Sequence, residues 1–226
     1  MGRFFLFALL TWITGSPVLA IVILIALAVP GWLAGSRWTF RASRQLRAWG
    51  EAGRLRRTLA TNPHDAKARA DLGALLARRG RYREARTELE QAYPRVEDLP
   101  EPNYALGLCL LHEGEVDRGT ALIQRALSTS PKFGYGEPSL RLGDFAADRG
   151  EWEQAAKYYR DAVGVHGSSV EGWAKLGEAL AHLHRSDEAR SAFQEAITSY
   201  RTAPWYRRSE DRPWKRRARR GLRALA

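Results

Sequence analysis

The dipeptide Leu-Gly recurs four times, as Leu72-Gly73, Leu106-Gly107, Leu142-Gly143 and Leu176-Gly177, at spacings of 34, 36 and 34 residues. The residues downstream of each copy keep the same register. Seven residues past the glycine stand Gly80, Gly114, Gly150 and, in the fourth copy, His184; twelve past it stand Ala85, Gly119, Ala155 and Ala189. Four further on stand Leu89, Ile123, Tyr159 and Phe193. A fixed period of this length marks a stack of like supersecondary units, none of which buries its apolar face alone. The residue types say what each unit is. Two antiparallel helices cross closely only where side chains are small, and the Gly of Leu-Gly and the Ala twelve on supply that. The intervening glycine ends the first helix in a left-handed conformation. The large residue four past the alanine fills the gap to the next hairpin. Pro63 and Pro131 come after second helices that neither can continue.

The departures carry their own expectations. Gly119 stands where the other copies have alanine, which should loosen the second hairpin. His184 replaces the turn glycine of the fourth. Residues 131–138 carry two extra residues before the third copy, which predicts a longer, ordered loop, and residues 94–102 lengthen the link into the second. Upstream, residues 43–62 read as a helix in which Leu55 and Leu59 repeat the second-helix spacing, a half-repeat capping that end. Downstream, Trp214, Ala218, Leu222 and Leu225 fall at i, i+4, i+8 and i+11, an apolar stripe on a helix that is otherwise rich in arginine.

The period and its signature resemble the tetratricopeptide repeat (TPR) family over about residues 61–200. The resemblance implies an all-α TPR solenoid of about four helix-turn-helix repeats, with a peptide groove lined by the first helix of each. On that implication the groove candidates are Lys67, Ala70, Ala74 and Arg78, then Glu101, Tyr104, Leu108 and His112, then Glu137, Asp144 and Asp148, and last Glu171, Lys175 and Glu178. Members of the family that bind chaperones clamp a C-terminal carboxylate with Lys and Asn; here those places hold Ala70, Ala74 and Ala105, so that clamp is absent. The last three repeats read instead as acidic, which suits a basic or neutral peptide.

Charge divides the chain. Residues 36–60 hold seven arginines and one acid, and residues 201–226 hold ten basic residues against Glu210 and Asp211. Residues 61–200 hold 18 basic and 22 acidic side chains. Two basic ends around a slightly acidic body favour an anionic surface as partner for the ends. Between residues 4 and 34 there is no charge, and about 20 apolar residues suffice to cross a bilayer. Thr14-Gly15-Ser16-Pro17 interrupts the stretch with a kink near Pro17. Val18-Leu19-Ala20 has the small-residue look of a cleavage site, but the more apolar run after it would still anchor the product. A re-entrant hairpin leaves residues 4–14 too short to span. A single tilted or kinked span is the simplest reading, with Trp12, Trp32 and Trp38 at headgroup level. Arg37, Arg41, Arg44 and Arg47 come after it against Arg3 before it, which places the remainder in the cytoplasm by the positive-inside bias.

The expected organisation is a membrane anchor over 1–35, a basic juxtamembrane helix and N-terminal cap over 36–60, four repeats over 61–200 and a basic amphipathic cap over 201–226. The chain resembles membrane-anchored bacterial TPR proteins such as the lipopolysaccharide-assembly adaptors, without their Cys-rich C-terminal metal module. In the tail, Arg207, Arg208, Lys215, Arg216, Arg217, Arg219 and Arg220 are the candidates for anionic headgroups, with Trp214 turned inward and the arginines outward.

Chemistry finds little support. Cys109 is the single cysteine and lies in the apolar run Leu108–Leu111, the setting of an inert buried thiol; a disulfide within the chain and a Cys-based zinc site are excluded. His182 and His184 are two apart and do not converge on one helix face. No phosphate loop, nucleophile elbow, zincin or nucleic-acid motif is present. The expectation is a scaffold or adaptor without catalysis or cofactor at the cytoplasmic face of the inner membrane, binding a protein or peptide. The rival is a structural subunit packing through its span and convex surface.

Overall fold

The structure, a computed structural model, describes Val18 and residues 50–225. The chain divides into two units, Met1–Arg57 and Thr58–Ala226. In the first, residues 50–57 are helical, within a helical run that ends at residue 61. The expected anchor lies, but for Val18, outside the described residues, as do residues 36–49 of the expected juxtamembrane helix. Among the described residues no helix is long and apolar enough to cross a membrane.

The second unit is helical hairpins in series. The first pairs α1 (Ala66–Ala77) with α2 (Tyr82–Ala92), the second α3 (Pro100–His112) with α4 (Val116–Thr129). The third pairs α5 (Glu137–Asp148) with α6 (Trp152–Val165), and the fourth α7 (Val170–His182) with α8 (Ser186–Thr202). A single helix, α9 (Arg208–Ala224), comes last and packs on α7 and α8. There is no strand among the described residues.

The repeat positions do what their sizes require. A Cβ built on Gly73 would lie 2.6 Å from Leu89 Cγ, one on Gly107 2.6 Å from Ile123 Cγ1, one on Gly143 2.5 Å from Tyr159 Cε1 and one on Gly177 2.5 Å from Phe193 Cδ1. Each Leu-Gly glycine is thus the floor on which the large residue of its own second helix rests. Leu89 and Ile123 are fully buried, and Tyr159 and Phe193 nearly so. The turn glycines adopt the left-handed conformation, Gly80 at φ 73°, Gly114 at 89° and Gly150 at 75°, and His184 adopts it too at 57°. Asp65 and Ser169 cap α1 and α7, accepting from the amides of Ala68 and Gly172.

The expectation that Gly119 loosens the second hairpin is reversed. A Cβ there would sit 2.8 Å from the carbonyl oxygen of Gly107 and 2.9 Å from the amide nitrogen of Leu111. With glycine on both sides the backbones of α3 and α4 touch, closer than an alanine would allow.

Both long links are ordered. Residues 133–136 form a 3-10 turn in which Gly134, Tyr135 and Gly136 all have positive φ, and Gly136 lies against the backbone of α6, where a Cβ would come within 2.7 Å of Ala162 O. The other link is fastened by Asn103, fully buried, whose Nδ2 donates to the carbonyls of Glu97 at 2.6 Å and Leu99 at 2.8 Å while its Oδ1 accepts from Tyr93 OH at 2.8 Å.

The last helix is a half-repeat. A Cβ on Gly221 would lie 2.3 Å from Phe193 Cζ, so Phe193 is held between Gly177 on one side and Gly221 on the other. Ala218 is fully buried, and Trp214, Leu222 and Leu225 pack on the core from the same face. The apolar stripe read from the sequence is the inward face of α9.

Candidate functional site

The first helices α3, α5 and α7 carry most of the expected groove residues, and their side chains divide the face into two parts of different character.

In the C-terminal part the acids are paired. Lys175, almost completely buried, places Nζ 2.8 Å from Asp144 Oδ1 and 2.6 Å from Glu171 Oε1. Asp144 also accepts from Tyr159 OH at 3.0 Å and from Arg141 Nη1 at 3.2 Å, and Arg141 approaches Glu137 at 3.7 Å. Arg217 of α9 donates to Glu178 from Nε and Nη2, at 2.7 and 2.6 Å. Two cations lie over the ring of Trp214, Lys175 Nζ and the Arg217 guanidinium, each 4.9 Å from its centre. The expected acidic groove is therefore corrected. Glu137, Asp144, Glu171 and Glu178 spend their charge on Arg141, Lys175 and Arg217; Lys175–Asp144 joins α7 to α5 and Arg217–Glu178 joins α9 to α7, while the other pairs lie within one helix. Among the expected acids of this part Asp148 alone makes no ion pair.

The N-terminal part is aromatic and apolar. Tyr104, Leu108 and His112 stand at i, i+4 and i+8 on α3. Tyr104 meets Phe133 edge-on at 5.7 Å between ring centres, and His112 meets Phe145 of α5 edge-on at 5.1 Å. His112 also stacks on Tyr82, centre to centre 3.8 Å, and burial lowers its pKa. The Tyr104 hydroxyl is buried beside Glu137 and Arg141 of α5, and burial raises its pKa. Leu108 is half-buried. Arg78 pairs with Glu101 across α1 and α3 at 3.1 Å, and Lys67 with Asp71 at 3.5 Å. Ala70, Ala74 and Ala105 are buried, so Ala70 and Ala74 belong to the core and do not line a groove.

Two features escaped the sequence reading. Arg141, the link between Glu137 and Asp144, is one. The other is a repeated aromatic–histidine stack: Trp152 lies on His182 at 3.8 Å and 4° as Tyr82 lies on His112. The signal was present, since both histidines stand five past a Leu-Gly glycine and both aromatics nine past one.

In the tail the arginines separate by role. Arg217 turns inward to Glu178. Arg208 donates to the carbonyls of Ala203 and Arg201, both at 2.9 Å. Lys215 lies over Tyr200, 4.2 Å from its centre, and Arg207 is half-buried. Arg216, Arg219 and Arg220 are exposed. The expectation that the arginines all face outward is corrected for Arg217 and Arg208.

Among the described residues no group of His, Cys, Asp or Glu could hold a metal. Cys109 is fully buried, which pushes its thiol pKa up to about 12.

The geometry defines a class first: a stack of helical hairpins whose first helices share one face, closed by a half-repeat, which is the architecture of a helical-repeat binding scaffold. The sequence profile of the tetratricopeptide repeat matches residues 52–100 and 140–204, together half of the chain. The chain belongs to the tetratricopeptide repeat family. The second copy, with its Gly119 and the long loop after it, falls between the matched stretches. No curated protein matches the chain. Among solved structures it is similar to the MamA protein, at 17% identity and a TM-score of 0.59 over 80% of this chain and 91% of that one. It is also similar to MamA from Desulfovibrio magneticus RS-1, at 19% identity and 0.51 over 72% and 93%. YrrB, described as a TPR protein with an unusual peptide-binding site, matches at 17% identity and 0.54 over 76% and 90%. At these identities the likeness is one of fold.

Proposed function

We propose that this protein is a non-catalytic, membrane-tethered TPR adaptor that binds an extended peptide or protein segment across the first-helix face of its second and third repeats, at the cytoplasmic side of the inner membrane. The observation that carries the reading is the surface formed by half-buried Tyr104 and Leu108 with the Phe133 and Phe145 rings. This apolar surface suits one or two apolar side chains. Because the acids of the C-terminal part are already paired, the partner favoured is apolar with backbone polarity rather than strongly basic. YrrB provides a precedent in fold for a peptide site on such a solenoid. The uncharged residues 4–34 supply the tether.

A second reading, the structural subunit, has one observation of its own: a cleft of about 360 Å³ between α2 and α4, lined by Glu90, Tyr93, Pro94, Leu106, Arg118, Ala121 and Leu122. One experiment separates the two. A photo-crosslinking amino acid is placed at position 108 or at position 121 of the full chain and activated in native membranes. Adducts from position 108 that fall on changing Tyr104 to Ala support the adaptor. Adducts from position 121 alone support the subunit and reject the groove.

A further inference from the structure

Five arginines of α9 have no assigned task. Arg212, Arg216, Arg219, Arg220 and Arg223 are all exposed, and none makes an ion pair or side-chain hydrogen bond among the described residues. Their positions are i, i+4, i+7, i+8 and i+11, so at about 100° per residue they fall within an arc of about 100°. Asp211, Trp214, Ala218, Gly221, Leu222 and Leu225 occupy the opposite arc, which is the face packed on α7 and α8. The arginine face runs about 16 Å along the helix, at about 1.5 Å per residue. At its leading end, just before α9, Trp205 and Tyr206 are 83% and 62% exposed and meet edge-on at 6.0 Å.

We propose that this face, the five arginines with Trp205 and Tyr206 at one end, seats on the anionic headgroups of a lipid bilayer. Several arguments favour lipid over nucleic acid. The arginines form one straight, convex strip, which suits a flat charged plane. The rings stand together at one end and are not spaced between the arginines, so they cannot stack successive bases along a strand. Trp and Tyr are the side chains that prefer headgroup depth, and guanidinium groups pair with phosphate through two parallel hydrogen bonds. The same chain holds the uncharged residues 4–34, which keep a membrane near; in this respect the inference rests on the tether proposed above.

The buried Cys109 makes a direct test possible. Ser209 is exposed and lies within the arginine arc, so Ser209→Cys in the full chain accepts an environment-sensitive fluorophore while Cys109 does not. The labelled chain is reconstituted in nanodiscs of phosphatidylcholine, or of phosphatidylcholine with phosphatidylglycerol. Capture on the neutral discs reports the tether alone. The label reports the arginine face. The expected result is a blue shift and a rise in emission on anionic discs only, reversed as salt is raised from about 50 mM to about 500 mM, where the Debye length falls to a few ångströms. Arg216→Gln, Arg219→Gln and Arg220→Gln together should abolish the response, and Trp205→Ala with Tyr206→Ala should weaken it, with helix content unchanged in both. Identical emission on the two kinds of disc overturns the proposal, whether or not the tether holds. A response to a single-stranded RNA oligomer with none to anionic lipid overturns it in favour of nucleic acid.

Discussion

Replacing Gly221 with alanine should weaken the fold, although alanine is the better helix former. In a helix interior the exchange contributes about 1 kcal/mol in favour of alanine. At Gly164, in the last turn of α6 and with nothing within 4 Å of an added Cβ, alanine should bring part of that gain and no clash. At Gly221 the new carbon would sit 2.3 Å from Phe193 Cζ and 2.4 Å from Cε2, where an ordinary carbon contact is about 3.5–4.0 Å. The ring cannot retreat, because its other face rests on Gly177 with an added-Cβ distance of 2.5 Å and Phe193 is only 1% exposed. Forcing a methyl into such a site costs roughly 1–3 kcal/mol, occasionally more. Set against the propensity gain, Gly221→Ala should lie about 1–3 kcal/mol below Gly164→Ala on a common scale. Urea unfolding followed by far-UV circular dichroism reads this as a difference in midpoint at constant slope. Trimming the ring should then make room for the methyl: in Phe193→Leu, Gly221→Ala should cost much less than in the parent, a double-mutant interaction of more than about 0.5 kcal/mol. If Gly221→Ala raises the midpoint as much as Gly164→Ala does, α9 does not close on Phe193 and the half-repeat reasoning is wrong.

His184→Gly should stabilise by about 1 kcal/mol, since a non-glycine residue in the left-handed region carries a penalty of roughly that size; a melting curve should rise by about 2–4 °C for a domain of this length. Asp211 is 7% exposed, its Oδ2 is buried without a partner, and burial raises its pKa. Because the folded pKa lies above the unfolded value, charging this group opposes folding, and its unfavourable contribution fades as pH falls through the folded pKa. Asp211→Asn should therefore stabilise at neutral pH by about 1 kcal/mol and bring no gain at a pH low enough to protonate the parent, as paired urea titrations will show. Cys109, fully buried and with its pKa pushed up to about 12, should resist iodoacetamide in the native chain and react once in denaturant; prompt native labelling detected by mass spectrometry contradicts the burial.

The hairpin register was legible because it rests on size alone. A glycine against Leu89, Ile123, Tyr159 or Phe193 leaves a mark at a fixed period, and the left-handed turn leaves another. The part that stayed hidden depends on which charges meet. Asp144, Glu171 and Glu178 read as a free acidic face; the Glu171–Lys175 pair, at i and i+4, was legible within its helix, but nothing in one helix's sequence says that Lys175 also reaches Asp144 or that Arg217, 39 residues on, reaches Glu178. Gly119 was misread because its effect depends on a second glycine across the interface, Gly107, and substitution tables treat each position singly. Gly221 escaped notice because no leucine precedes it and it stands 44 residues past Gly177, outside the period, though it repeats the contact of the Leu-Gly glycine. The tail arginines were counted correctly as charge, but their sorting into inward and outward needs the helix's packed arc.

The arginine face of α9 has a consequence for how this molecule can change its length over evolutionary time. Repeat arrays grow when a duplicated unit slots between two existing ones, each new hairpin offering its neighbour a surface like the one it replaced. Such an event anywhere upstream of residue 203 leaves Phe193, or its duplicate, with a glycine-bearing helix to receive it. Beyond α9 no such surface exists, because an added hairpin would have to bury five guanidinium groups. Growth past α9 is therefore opposed, and the terminal helix is carried along unchanged when units are added before it.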